Sequence, residues 1–116
     1  MQNEIQRITI TGTTGAGSIS GNGQSLVILA PADTSQVNDA MITIWGEGNY
    51  DLTDNLDGTW DVEMIGPWAN RNVAQMTRQN ITGDQAISIS TLQEGIGPPN
   101  GIGSPAFNRM LVPGVG

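Results

Sequence analysis

Three aspartates lie within eight residues of the segment LTDNLDGTWDVEMI, at residues 52–65, together with an asparagine and a glycine. Carboxylates so close together could bind calcium or act as catalytic acids. The calcium interpretation fails on spacing, because an EF-hand loop needs acids at its first, third and fifth positions, and counting from Asp51 the third is Thr53. The catalytic interpretation is weaker still, since carboxylates on the solvent face of a hairpin have no pocket to shift their pKa values.

The same segment is better explained as a β-hairpin, and the pairing register decides between two versions of it. A two-residue turn would place Asp54 opposite Asp61, and like charges directly across a strand pair are unfavourable. A three-residue loop at 56–58 instead places Leu52 opposite Val62 and gathers the apolar side chains on one face. The sequence therefore predicts this loop, with its final glycine in the left-handed conformation and the aspartates in turn roles.

The composition excludes several classes of function. The chain of 116 residues has no cysteine, histidine or lysine, and its eleven acids and four arginines give a net charge of −7. The usual zinc ligands and the usual neutral-pH base are therefore missing, and we predict no catalytic residue, metal site or cofactor. The negative charge argues against nucleic acid as a partner. A membrane span is not expected, because there is no apolar run of about 18 residues.

Frequent glycines and short runs of β-branched residues predict a mostly β protein. NEIQRITIT at 3–11 alternates as a first strand, with Gln6, Ile8 and Ile10 on one side. Asn22-Gly23 predicts the turn of a hairpin. The arm that follows, SLVIL, is continuously apolar, and we expect it to be buried on both faces. QAISISTLQ predicts a last strand.

The sequence predicts one helix near residues 34–45. Asp33, Thr34 or Ser35 could cap its N-terminus, and Gly46 and Gly48 stop it. Its apolar residues recur at helical spacing and form one stripe, which must pack on the sheet; they are Val37, Ala40, Met41 and Ile44. The predicted fold class is α+β and mostly β, with a small antiparallel sheet of hairpins, one packed helix and an extended Gly/Pro-rich C-terminal arm.

Residues 66–83 carry fewer structural signals. Val73 and Met76 fit either a short helical turn or an extended loop. Arg71 and Arg78 also lie in this segment. They are either counter-charges facing solvent or contacts to an acidic neighbour.

The chain divides into a β-rich domain at 1–95 and an arm at 96–116. The arm is rich in glycine and proline and has too few apolar residues to fold alone. We expect it to become ordered on a partner surface, with Phe107, Met110 and Leu111 as the anchor. The residues expected at a protein interface are Trp68, Arg71, Arg78, Phe107, Arg109, Met110 and Leu111.

The order of these pieces resembles a structural module of tailed-bacteriophage virions over about residues 3–95. That module opens with an NEVQ-type strand, here NEIQRITI, and continues through a hairpin, here GSISGNGQS, and a helix. A DGTYxV-type hairpin follows, here DGTWDV, and SISTLQEG matches its end. The chain departs from the pattern in a shorter first hairpin and in a helix that is not alanine-rich. The resemblance implies a virion structural role and carries no catalytic residues.

Two classes of function follow from this sequence. The first is a non-enzymatic virion protein, a capsid decoration (cement) protein or else a head-tail or tail-surface protein. The resemblance then implies the major capsid protein or other virion proteins as partners, a homo-oligomer, and location in a virion assembled in the host cytoplasm. The second class is a tail or surface adhesion or carbohydrate-binding module, for which the stacking residues would be Trp45, Tyr50, Trp60 and Trp68.

Overall fold

A computed structural model describes residues 2–97. They form seven strands, one α-helix and a short 3₁₀ turn at Gly66–Trp68. The elements are β1 (Ile5–Thr11), β2 (Ala16–Gly21), β3 (Gln24–Leu29), α1 (Thr34–Trp45), β4 (Tyr50–Asp54), β5 (Thr59–Met64), β6 (Thr77–Thr82) and β7 (Ala86–Gln93). The predicted mostly β class with one packed helix is confirmed, and the strands are distributed over two antiparallel sheets.

The first sheet has the strand order β4-β5-β1-β7, so the N-terminal strand pairs with strands from the second half of the chain. Alternation along β1 places Gln6, Ile8 and Ile10 inside, as the sequence predicted, and Arg7 and Thr9 on the other face. Strands β5 and β7 both pair with β1, and residues directly opposite one another point to the same face of a sheet. The buried side chains of β5 and β7 therefore face the same interior as those of β1.

The β4–β5 hairpin has the predicted register. Leu52 lies opposite Val62, and a backbone hydrogen bond from Asn55 to Thr59 closes the three-residue loop. The carboxylate of Asp54 accepts a hydrogen bond from the backbone amide of Leu56 at 2.8 Å. Asp57 likewise accepts one from the amide of Thr59 at 3.1 Å. These aspartates therefore stabilise the turn, as the sequence predicted.

The backbone of the loop is left-handed at two positions. Gly58 has φ +88°, as predicted, and Leu56 has φ +63°, which was not predicted. A side chain in this region of φ carries a steric cost, and the leucine is 88% exposed. Burial within the described domain therefore gives no compensation for this strain.

The second sheet has the order β3-β2-β6, and Asn22 and Gly23 form the predicted turn between β2 and β3 with φ values of +52° and +75°. The expectation that SLVIL is buried on both faces is wrong. Ile28 is fully buried, whereas Val27 and Leu29 are 52% and 61% exposed. Only one face of this sheet meets the core, so every second apolar residue of β3 points outward.

Strand β6 lies where the sequence predicted no strand. All six of its residues are exposed, so TRQNIT carries no alternation of apolar and polar residues to reveal it. Pairing with β2 makes it the edge of the second sheet. The preceding residues 70–76 form an extended loop, so the helical alternative for Val73 and Met76 is wrong.

Helix α1 packs its apolar stripe into the core between the sheets. Asp33 is the N-cap, accepting a hydrogen bond from the amide of Gln36 at 2.9 Å, and the helix ends at Gly46. The side chain of Gln36 then covers the free edge of β3. Its amide oxygen accepts from the Leu29 nitrogen at 2.7 Å, and its amide nitrogen donates to the Leu29 oxygen at 3.0 Å. It thereby occupies hydrogen-bonding groups that another strand could use.

Replacing Gly58 by valine should lower the free energy of unfolding by about 1–2 kcal/mol, because a β-branched residue would be forced into the left-handed region. Urea denaturation measures this change. Thr53→Val is the matched control, since it places valine in an ordinary strand of the same hairpin and should change stability by less than about 0.5 kcal/mol. Equal stability of the Gly58→Val variant and the wild type would contradict the assigned loop.

Candidate protein-binding surfaces

Two buried polar side chains of the N-terminal segment hold the loop at 70–76 in place. Glu4 is 1% exposed and Gln6 is fully buried. The Glu4 carboxylate accepts hydrogen bonds from the Gln6 side-chain amide at 2.5 Å and from the backbone nitrogen of Val73 at 2.9 Å. Gln6 in turn accepts from the nitrogen of Met76 and donates to the oxygen of Ala74. Buried polar groups therefore replace regular secondary structure as the support of this loop.

The neighbouring residues complete the attachment. The Asn3 side-chain oxygen accepts from the Asn70 nitrogen at 2.9 Å. Gln2 and Ile96 form an antiparallel bridge through two backbone hydrogen bonds. Gly95 lies so close to the loop that a Cβ built there would be 1.6 Å from the carbonyl oxygen of Arg71. The loop is thus enclosed between the first and last described segments of the chain.

This loop carries Arg71 beside a pair of tryptophans. Trp45 and Trp68 meet edge to face, with ring centroids 5.2 Å apart, and the Trp68 indole nitrogen donates to the Trp45 carbonyl at 3.1 Å. The Arg71 guanidinium lies 6.0 Å from the centre of the Trp68 ring, within cation–π range. The structure therefore brings together two of the predicted interface residues, Trp68 and Arg71.

Arg78 lies elsewhere, in a groove of about 330 Å³ between β6 and β7. The groove is bordered by Gln75, Ser88 and Ile89 as well. The Gln75 side chain donates to the Ile89 carbonyl at 3.0 Å, so it covers part of the free edge of β7. The other predicted interface residues, Phe107, Arg109, Met110 and Leu111, lie outside the described residues, as does the predicted arm beyond position 97.

The outer face of the second sheet is a surface that sequence reasoning missed. By register, Val27 and Leu29 of β3 stand opposite Ser18 and Ala16 of β2 on this face. None of the eleven acidic residues belongs to β2, β3 or β6. Arg78 of β6 stands opposite the buried Ile19 and so belongs to the other face. The outer face is therefore uncharged and partly apolar on a strongly acidic chain. The run SLVIL contained the signal, but period-two alternation within it could not be recognised because all its later residues are apolar.

Acidic groups concentrate on the opposite, outer face of the first sheet. The Arg7 guanidinium donates to both carboxylate oxygens of Asp61, at 2.7 and 3.0 Å, and lowers the pKa of that carboxyl. Asp54 lies on the inner side of the same hairpin, opposite Trp60, and hydrogen bonds from Thr34 and from the Leu56 amide lower its pKa. These carboxylates are thus held as anions and serve the fold.

The buried Glu4 was also not predicted. The one sign of its burial in the sequence is the alternation of the strand, because Glu4, Gln6 and Ile8 are alternate residues and so lie on one face. A charged residue at the start of a strand is ordinarily expected to face solvent, so its place in the alternation could not by itself identify a buried carboxylate.

Between residues 2 and 97 no group of acidic side chains could hold a metal ion. No helix in that range is long and apolar enough to cross a membrane. No protein-family model, no curated protein and no solved structure matches the chain.

Replacing Glu4 by glutamine should destabilise the domain by about 1–3 kcal/mol, because the amide group directs a donor toward groups that are themselves donors. Thermal and urea unfolding measure the loss. Glu47→Gln is the control, since Glu47 is exposed and forms no hydrogen bond with the described residues; it should stay within about 0.5 kcal/mol of the wild type. Equal stability of the two variants would contradict the role of Glu4.

The Arg7–Asp61 pair predicts a pH dependence. Because the folded-state pKa of Asp61 is lowered, its contribution is complete above its ordinary value of 3.8 and disappears as the pH falls through the lowered value. Arg7 is 39% exposed, so solvent screens the pair and its contribution to stability is small. The difference in unfolding free energy between wild type and Asp61→Asn should therefore shrink below this pH and on adding salt. A constant difference would contradict the ion pair.

Proposed function

We propose that this chain is a non-enzymatic structural protein of a tailed-phage virion, a capsid decoration (cement) protein. In this proposal it binds the major capsid protein or another virion protein and links neighbouring subunits through its C-terminal arm. The resemblance of its ordered motifs to a virion module supports this role. The observation that supports binding to a partner is the uncharged outer face of the second sheet.

That face has the composition of a protein-binding surface. Val27 and Leu29 of β3 expose more than half of their surface there. Interface centres are depleted of charged residues, and Lys, Glu and Asp are rare in them. The chain has a net charge of −7, yet none of its acids lies on this sheet face. The face can therefore contact a partner without removing water from carboxylates.

The carboxylates support a role outside catalysis. The pKa values of Asp54, Asp61 and Asp84 are all lowered, the last through hydrogen bonds from the backbone and side chain of Thr14. A general acid at neutral pH needs a shift in the opposite direction. These lowered pKa values therefore favour a structural role for the three carboxylates.

The adhesion or carbohydrate-binding alternative receives less support. Trp45 and Trp60 are 4% and 5% exposed, so their rings cannot stack on a sugar at the surface. Trp68 is half-buried against Trp45 and has Arg71 beside its ring, and the Tyr50 hydroxyl donates to the Asn38 side chain at 2.6 Å. Packing accounts for these aromatic residues.

Particles assembled without this chain, then mixed with purified protein, provide the test. Wild-type protein should bind saturably at regular positions, measured by electron microscopy and quantitative mass spectrometry. Val27→Glu should weaken binding by about tenfold or more, because it buries an unpaired charge in the interface. Leu92→Glu is the matched control, since Leu92 of β7 is 48% exposed and the change adds the same charge elsewhere.

Each result has a distinct meaning. Absence of saturable binding by the wild type would reject the virion proposal. Equal binding by Val27→Glu and Leu92→Glu would reject the sheet face as the docking surface. A chain ending at Gly97 keeps the Gln2–Ile96 bridge, and its binding isolates the contribution of residues 98–116.

A further inference from the structure

A small cleft lies beside the tryptophan pair and is separate from the outer face of the second sheet. It encloses about 170 Å³ and is bordered by Asn22, Trp45, Trp68, Arg71 and Val73, among others. Pockets that enclose whole drug-sized ligands are larger, about 300–1,000 Å³. The cleft therefore has room for one side chain or a terminal group.

One donor group at this cleft has no partner among residues 2–97. The Arg71 side chain forms neither a hydrogen bond nor an ion pair with the described residues, where Arg7–Asp61 is the ion pair. Its guanidinium carries five N–H donors, so an incoming acceptor can pair with it without breaking a hydrogen bond of the described domain.

The charge around the cleft fixes the sign of its ligand. None of the described residues that border it is acidic, although the chain holds eleven acids. The guanidinium would repel a cation, and its planar donors match the two oxygens of a carboxylate. Arginine also pairs bidentately with phosphate, so the experiment below compares the two anions directly. Val73 and Ala74 supply apolar contact for a methylene stem.

The cleft is also preorganised. Asn3 and Glu4 fix the loop by accepting hydrogen bonds from the nitrogens of Asn70 and Val73, on either side of Arg71. Close packing of Gly95 against the Arg71 carbonyl fixes that residue itself. A loop already held in place loses little conformational entropy when a ligand binds.

We propose that the Trp45–Trp68–Arg71 cleft binds a carboxylate-bearing side chain of a partner protein, with Arg71 pairing to the carboxylate and the apolar border of the cleft contacting its stem. The inference goes beyond the proposed function and does not depend on it, since an acidic segment of any protein could supply the group.

Titration of the ¹⁵N-labelled chain with N-acetyl-glutamate α-amide, which keeps a free side-chain carboxylate, tests the proposal by nuclear magnetic resonance. The Trp45 indole N–H resonance should shift saturably, and the neutral analogue N-acetyl-glutamine α-amide should have far less effect. Arg71→Gln should weaken binding by about tenfold or more. Arg78→Gln is the matched control and should bind as the wild type does, because Arg78 borders a different groove.

Amide spectra report whether each variant keeps the wild-type fold, and thermal unfolding confirms it. An unmoved Trp45 resonance, equal responses to the acid and the amide, or unchanged binding by a folded Arg71→Gln variant would each overturn the proposal. Tighter binding of inorganic phosphate than of the carboxylate probe would overturn the carboxylate assignment. Because this assay contains no virion particles, its result is independent of the particle-binding test.

Discussion

The buried carboxylate of Glu4 is the interaction on which much of the structure depends. It accepts hydrogen bonds from Gln6 beside it, from Val73 in the 70–76 loop and, at 3.4 Å, from Gly95 at the end of the described chain. Three segments distant in sequence therefore converge on one side chain. Burying a carboxylate is costly unless donors surround it, and here two of the three donors are backbone groups outside the strands. The loop and the carboxylate stabilise each other.

The outer faces of the two sheets differ in chemistry. The outer face of the first sheet carries Asp51, Asp61 and Glu63, together with Arg7. The outer face of the second sheet carries serines, threonines and exposed aliphatic residues. The first face keeps the chain hydrated and strongly negative, which favours solubility. The second can meet a partner without removing water from charged groups, so the division favours one direction of attachment.

Local signals predicted most of the fold. Asn22-Gly23, the helix capped by Asp33 and the DG hairpin were all predicted correctly because turn chemistry and periodicity act over a few residues. The errors have one common cause, which is tertiary context. TRQNIT is a strand only because β2 pairs with it, and SLVIL has an exposed face only because nothing described covers it. The cleft around Arg71 depends on residues 22, 45 and 68–74 meeting in space, which no sequence pattern could indicate.

The central position of β1 has a consequence for how the chain reaches its structure. Strand β1 is synthesised before β5 and β7, with which it pairs, and Glu4 and Gly95 are separated by 91 positions in sequence. Local hairpins such as β2–β3 and β4–β5 can form while synthesis continues. Closing long loops is slow, so the central strand waits for the last one. We expect the domain to fold in a late, cooperative step once β7 has been synthesised, with residues 5–11 open until then to pairing with other chains.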